Sequence, residues 1–224
     1  MKDLDLRNEL ICTVLKMNES GINQGTSGNA AVRVDDGYLI TPSGMAYEDI
    51  RPEDVVYKRI DGDYESPNGL RKPSSEWRFH EDIFVARDDV EAIVHTHGKA
   101  VMTIACMRKD VPAFHYMIGV TGGQTIRCAP YETFATQALS DVAVKALKGR
   151  KACLLANHGQ IAVGGNLKQA LSMALEVETL CEVYWRILSV GEPIVLNDPE
   201  MQEVLVKFNK GYGSGKAFLS ESQS

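Results

Sequence analysis

A sheet of mixed direction covered by helices is the fold class that the sequence predicts, on three observations. Apolar runs of strand length recur between stretches of helical periodicity along the whole chain. Tight turns at Asp35-Asp36-Gly37 and at 157–160 imply antiparallel neighbours. Strands and helices intermingle rather than segregating into separate blocks, which favours one sheet with helical cover. A chain of 224 residues can enclose a large apolar core, and no linker, repeat or low-complexity block divides it. The reading is one domain over 1–212, with the tail 213–224 loosely ordered.

Residues 3–19 place Leu4, Leu6, Leu10, Ile11, Val14, Leu15 and Met17 on roughly one helical face, with Gly21 as the stop. The runs "AAVRV" and "GYLIT" form a hairpin about the Asp-Asp-Gly turn, and "DVVYKRI" is a third strand. The turn-forming stretch "DGDYESPNGLRKPSS" leads into "EWRFHEDIFVARD", a helix after a Ser-Ser cap. "VEAIVHTH" is a strand, "KAVMTIACMR" a helix, and "GGQTIRCAPY" a turn with a short strand. A helix over about 133–148, strands at "KACLLAN" and "QIAVGG", and helices over about 167–189 and 199–209 complete the chain.

Composition excludes several classes of function. No apolar stretch is long enough to span a bilayer, and the N-terminus mixes acidic with apolar residues instead of following a basic start with an apolar block. A soluble, cytoplasmic protein is expected. The five cysteines are scattered and never form a C-x-x-C pair, which suits reduced thiols and speaks against disulfides or a thiolate zinc site. With net charge −6 and no run of lysines or arginines, nucleic acid is not the expected partner, and a small molecule is.

The chemistry is carried by histidine. His95 and His97, in "VEAIVHTHG", are separated by one residue at the end of a strand, so both project from one side. Read alone, the pair is as compatible with chance as with a chelate. His158, in "LLANHGQ", also ends an apolar strand and can reach the same sheet edge. Three neutral imidazoles without cysteine resemble an open catalytic zinc centre more than a closed structural one. Glu76, in "PSSEW", is the natural fourth group, closing the metal sphere or acting on substrate as a base; the alternative is a favourable charge in a first helical turn. His80 and His115 are read as surface or satisfied core residues.

"GTSGNAAV", "TPSG" and "PSSE" gather glycines and small hydroxyl side chains where loops meet regular elements. Such loops present N–H groups and hydroxyls to an anion, here a phosphate, and none matches a nucleotide-binding fingerprint. Each alone is more often an ordinary turn.

Taken in order, "GTSGNAAVR", "YLITPSGM", "KPSSEWRFH", "VHTHG", "FHYMIGVTGG", "CAPYETFAT" and "NHGQIAVGGNL" closely resemble the class II aldolase and sugar-phosphate epimerase superfamily, in particular its branch acting on L-fuculose 1-phosphate. The resemblance implies a three-layer α/β/α fold with a largely antiparallel central sheet, the class II aldolase and adducin head fold. It implies His95, His97 and His158 as zinc ligands, with manganese, cobalt or iron as alternatives, and Glu76 as both resting ligand and acid/base. Gly28, Asn29, Ser43, Gly44, Ser74 and Ser75 match phosphate-loop positions, with Ser43 standing where the fuculose enzymes carry threonine. Tyr116 matches an active-site tyrosine, and Tyr212 resembles a tyrosine lent by a neighbouring subunit. A homotetramer with sites between subunits is implied.

The implied reaction is reversible cleavage of a deoxyketose 1-phosphate to dihydroxyacetone phosphate and a small aldehyde. L-fuculose 1-phosphate and a 5-deoxypentulose or 5-methylthioribulose 1-phosphate are rival substrates that the sequence does not separate. The other readings are a sugar-phosphate 4-epimerase, a methylthioribulose-phosphate dehydratase, and a non-catalytic member that only binds metal or ligand. Glutamate rather than aspartate at position 76 speaks against an epimerase, and retention of all three histidines and Glu76 against a non-catalytic member.

Overall fold

Asp35 and Asp36 form a two-residue turn that pairs Val34 with Gly37 and returns β1 (Asn29–Val34) against β2 (Gly37–Ile40). The structure, a computed structural model, describes residues 1–210. Around this hairpin an eight-stranded sheet is assembled in the order β4-β3-β2-β1-β5-β8-β7-β6. Its other strands are β3 (Val56–Arg59), β4 (Tyr64–Glu65), β5 (Ala92–Thr96), β6 (Cys128–Ala129), β7 (Ala152–Leu155) and β8 (Gly159–Gly164). Every pairing is antiparallel except β6 with β7, so the sheet is mixed and largely antiparallel.

Helices cover both faces. On one face lie α1 (Leu4–Glu19), α3 (Lys99–Ala105), α5 (Leu167–Val190) and α6 (Asp198–Asn209), whose Leu10, Val14, Val101, Ile104, Ala174, Val177 and Met201 join one apolar core. On the other, α2 (Trp77–Ala86) and α4 (Gln137–Leu147) contribute Phe79, Ile83, Phe84, Leu139, Ala143 and Leu147 to a second core. A strand covered on both faces has no polar side to alternate with, and all five residues of β5 are buried. Its Ala92 and Val94 belong to the first core and Ile93 to the second, so His95 falls on the α2 side. This is the three-layer α/β/α arrangement expected. No helix among the described residues is long and apolar enough to cross a membrane.

Several boundaries differ from expectation. The helix predicted from 133 begins at Gln137, because Ala135 takes a left-handed φ of 60° and the Thr136 hydroxyl then caps the helix by accepting from the Leu139 N–H. α3 stops at Ala105, and Arg108 adopts a φ of 54° three residues later. β4 lies inside the stretch read as turns; two residues are too few to leave a periodic signature. The helix after "KPSS" is not capped by a serine: Glu76 is its N-cap residue, while the Ser74 hydroxyl lies 3.4 Å from the Glu76 N–H that it accepts. α2 is held to the sheet by a buried ion pair, Lys58 to Glu81 at 2.7 Å, with the Lys58 ammonium 4.6 Å from the centre of the Trp77 ring.

Candidate metal centre

The antiparallel register that sets β5 beside β8 pairs His95 with Ile161 and Thr96 with Gln160. His95 and His97 leave the end of β5 on the same side, as alternation requires. Between β7 and β8 the chain turns through Asn157, whose φ of 55° is a conformation that asparagine tolerates, and this swings His158 back over β5. Glycine must follow. A Cβ at position 159 would stand 2.4 Å from the Thr96 carbonyl oxygen and 2.7 Å from the His97 ring. The three imidazoles thus form a near-equilateral triangle, with ring centres 4.7, 4.8 and 4.9 Å apart and interplanar angles of 82°, 69° and 79°.

Glu76 completes the group from the start of α2. Although it is the N-cap residue, its carboxylate makes no capping bond to its own helix. It turns to the imidazoles instead, with Oε2 3.1 Å from His95 Nε2 and Oε1 3.3 Å from His158 Nε2. Each of the four residues offers one ligand atom, and all four atoms lie within 4.8 Å of one another.

Protonation is set by burial and neighbours. Burial, followed by the charge of His95, pushes His97 down to about 3 and His158 down to about 4, so both are neutral at physiological pH. Burial would raise the Glu76 carboxyl, but the charge of His95, its hydrogen bond and the other two imidazoles bring it down to about 2. The His95 Nδ1–H donates to the Gln160 backbone oxygen at 2.8 Å, which leaves the Nε2 lone pair facing the centre.

The residues fit a divalent cation. His95 Nε2 and His97 Nε2 stand 2.8 Å apart, too close for two bare lone pairs unless something positive lies between them. Glu76 Oε1 is buried without a hydrogen-bond partner. Ligand atoms about 2 Å from a tetrahedral ion stand roughly 3.3 Å from each other. Three neutral nitrogens and a carboxylate are the donor set that such ions favour.

A cleft of about 480 Å³ opens over this group, and Glu76, His97 and His158 line its floor. Ser43, Gly44 and Ser75, three of the expected phosphate positions, line its wall. Gly28, Asn29 and Ser74 are buried behind the wall. Gly28 is there because a Cβ would approach the His95 carbonyl oxygen to 2.6 Å. The Asn29 side chain points inward, its amide donating to Glu76 Oε2 at 3.1 Å and its oxygen 2.6 Å from His80 Nε2. Its carboxamide is thus bonded on both sides within the protein.

Tyr116 is not brought to the cleft of its own chain. It lies 43% exposed at the start of a 3-10 turn (Tyr116–Thr121), with its ring parallel to Phe208 of α6 at 6.4 Å. Tyr212 lies outside the described residues.

Sequence reasoning assigned no role to Thr26, Ser27, Tyr131, Glu132, Phe134 or Asn157, all of which line the same cleft. The first two sit inside "GTSG", and three more in "CAPYETFAT", so the motifs were visible although their placement was not. His80, read as a surface or satisfied core residue, is fully buried and only half satisfied: its Nδ1 has no partner.

The family model of the Class II Aldolase and Adducin N-terminal domain matches residues 8–185. The chain is 50% identical over 208 residues, 93% of its own length and 92% of the relative's, to a 5-methylthioribulose-1-phosphate/5-deoxyribulose-1-phosphate aldolase of Rhodospirillum rubrum. It is 46% identical over 209 residues, covering 93% and 95%, to an L-fuculose phosphate aldolase of Escherichia coli K12. Among solved structures, an L-fuculose 1-phosphate aldolase superposes with a TM-score of 0.87 at 40% identity, over 92% of this chain and 96% of the other.

Proposed function

Since the chain belongs to the class II aldolase and adducin N-terminal domain family, and is an aldehyde-lyase that cleaves ketose 1-phosphates, we propose that its centre holds zinc and its substrate is a 5-deoxypentulose or 5-methylthioribulose 1-phosphate. L-fuculose 1-phosphate is the second candidate, supported by the relatives of that name at 46% identity against 50% for the first. The products are dihydroxyacetone phosphate and acetaldehyde, a methylthio-aldehyde or lactaldehyde respectively. The reading is carried by one observation, the convergence of Glu76 with three imidazoles at the floor of a cleft walled by Ser43, Gly44 and Ser75.

Glu76, His95, His97 and His158 would hold the ion, with His97 and His158 neutral and the carboxylate ionised as binding requires. When bound, the cation supplies Lewis-acid stabilisation of the negative charge that develops on the ketose oxygens as the C3–C4 bond opens. Ser43, Ser75 and the Gly44 backbone bind the phosphate, with the Gly28–Asn29 corner and Ser74 supporting the loops from behind; this fixes the non-reacting end and orients the scissile bond. Glu76 moves the proton at the carbon that was ketose C3. Tyr116 handles the proton on the C4 oxygen of the departing aldehyde. Its exposed position away from its own cleft supports a role in the cleft of a neighbouring copy, and Tyr212 is assigned a like role in a cytoplasmic homotetramer.

The test is a coupled assay for dihydroxyacetone phosphate with each of the three ketose 1-phosphates. We expect the fastest release from a 5-deoxypentulose or 5-methylthioribulose 1-phosphate, abolished by chelation and restored by zinc. Inertness toward all three overturns the assignment, and a rate that survives complete metal removal overturns the metal.

A further inference from the structure

We infer that His80, acting through the Asn29 carboxamide, is a positioning residue that holds Glu76 by its Oε2 oxygen and leaves Oε1 as the working oxygen of the site. The geometry fixes each bond in turn. Asn29 stands at the first residue of β1 and pairs with His95 across the sheet, so its side chain falls between the imidazole cluster and α2. Glu76 and His80 are four residues apart, at the start of α2 and one turn into it, and both face that gap.

A carboxylate only accepts, so at Glu76 Oε2 the donor is the Asn29 NH2 group. That sets the Asn29 oxygen toward His80, 2.6 Å from Nε2, and makes His80 Nε2 the protonated nitrogen. One tautomer and one amide orientation are thereby specified. The consequence reaches the cluster, because Oε2 carries the Asn29 bond while the buried Oε1 carries none.

Stability alone does not account for this arrangement. His80 is fully buried in the apolar core beneath α2, its ring 4.6 Å from that of Phe79, and its Nδ1 acceptor has no partner. An unpaired buried acceptor is destabilising, and a leucine of similar volume would fill the space without one. What leucine cannot do is donate to Asn29.

The kinetic arm of the test rests on the aldolase reading; the other two do not. In metal-free protein labelled with nitrogen-15 histidine, NMR should show His80 as the Nε2–H tautomer at neutral pH, and a predominant Nδ1–H or doubly protonated ring overturns the inference. Cobalt(II), bound by competition against a chelator, should bind ~10–100-fold more weakly to His80→Leu, as loss of groups that orient metal ligands generally does, and within about threefold of the parent in His80→Gln, whose amide restores the donor. In the assay, His80→Leu and Asn29→Ala should each lower kcat ~10–100-fold with KM within about twofold, and the double variant should be no worse than either. Multiplicative losses, no rescue by glutamine, or a rise in KM at constant kcat for Asn29→Ala overturn it. Should the parent cleave no ketose 1-phosphate, the functional reading fails while the NMR and cobalt measurements still decide the positioning role.

Discussion

The four groups at the ends of β5 and β8 and the start of α2, and the aromatic pair that Tyr116 makes with Phe208 of α6, differ in completeness. Glu76, His95, His97 and His158 are gathered by strand register, one left-handed asparagine and the first residue before a helix, and within one chain their ligand atoms lie within 4.8 Å. Tyr116 and Phe208 stack with their rings 4° from parallel, yet Tyr116 remains 43% exposed and faces no reacting group of its own chain. The first region is a finished device made by the fold; the second becomes one only if another copy supplies the rest. Backbone hydrogen bonds are enough to place a chelate, whereas a group that works across an interface is placed by the assembly.

The sharpest way to break the comparison is to remove an imidazole. His158→Ala should lose the bound metal and at least ~10³-fold in aldolase rate, since the ion supplies several kcal/mol of charge stabilisation; elemental analysis with the coupled assay checks both. Next comes Glu76→Gln, expected to lower turnover by ~10²–10⁴-fold while inorganic phosphate binds within about twofold of the parent. Near-normal turnover would remove Glu76 from the proton transfers.

The second region is tested by mixing. Tyr116→Phe should lower kcat by about tenfold or more, as loss of an acid/base group does. Co-assembly with Glu76→Gln chains should restore part of the rate, because some clefts then receive a sound Glu76 and a sound Tyr116. Absence of any recovery in demonstrably mixed oligomers would return Tyr116 to its own chain.

Smaller effects probe the wall and the charge state. Ser43→Ala should raise KM several-fold with kcat nearly unchanged, removing about 1 kcal/mol of phosphate binding. For the metal-free chain, His97 and His158 are held near 3 and 4 in the fold against about 6.5 when unfolded. As pH falls below about 6.5 the unfolded state takes protons that the folded state refuses, so stability declines, by up to ~1.4 kcal/mol per pH unit for each group, until about pH 4 for His158 and about pH 3 for His97. Glu76, displaced downward, acts in the same direction at lower pH: its contribution is complete above its ordinary value and is lost as pH falls toward about 2. Urea titrations at several pH values read the slope, and a flat profile between pH 6.5 and 4 would mean that the imidazoles are charged in the fold.

How much of this was legible in the sequence follows from how local each cause is. His-x-His at a strand end and the strand-turn-strand around His158 have geometries fixed by neighbours along the chain, and both were readable. That β5 lies between β1 and β8, which turns proximity in pattern into proximity in space, was not readable, because periodicity carries no strand order. The inward turn of Asn29 was not readable: a residue at the first position of a strand belongs equally to the loop before it, and only pairing with His95 decides its side. Glu76 was readable as the natural fourth group, with a favourable charge in a first helical turn as the alternative; its carboxylate makes no capping bond to that helix.

Because the imidazoles hang on paired strand ends and Glu76 on the start of α2, while Tyr131 and Phe134 stand on a connecting segment at the opening, the two can change independently. Substitutions at these two rim positions are expected to reshape the opening without unpairing a strand, so a library confined to Tyr131 and Phe134 is the natural starting point for changing what the cleft accepts.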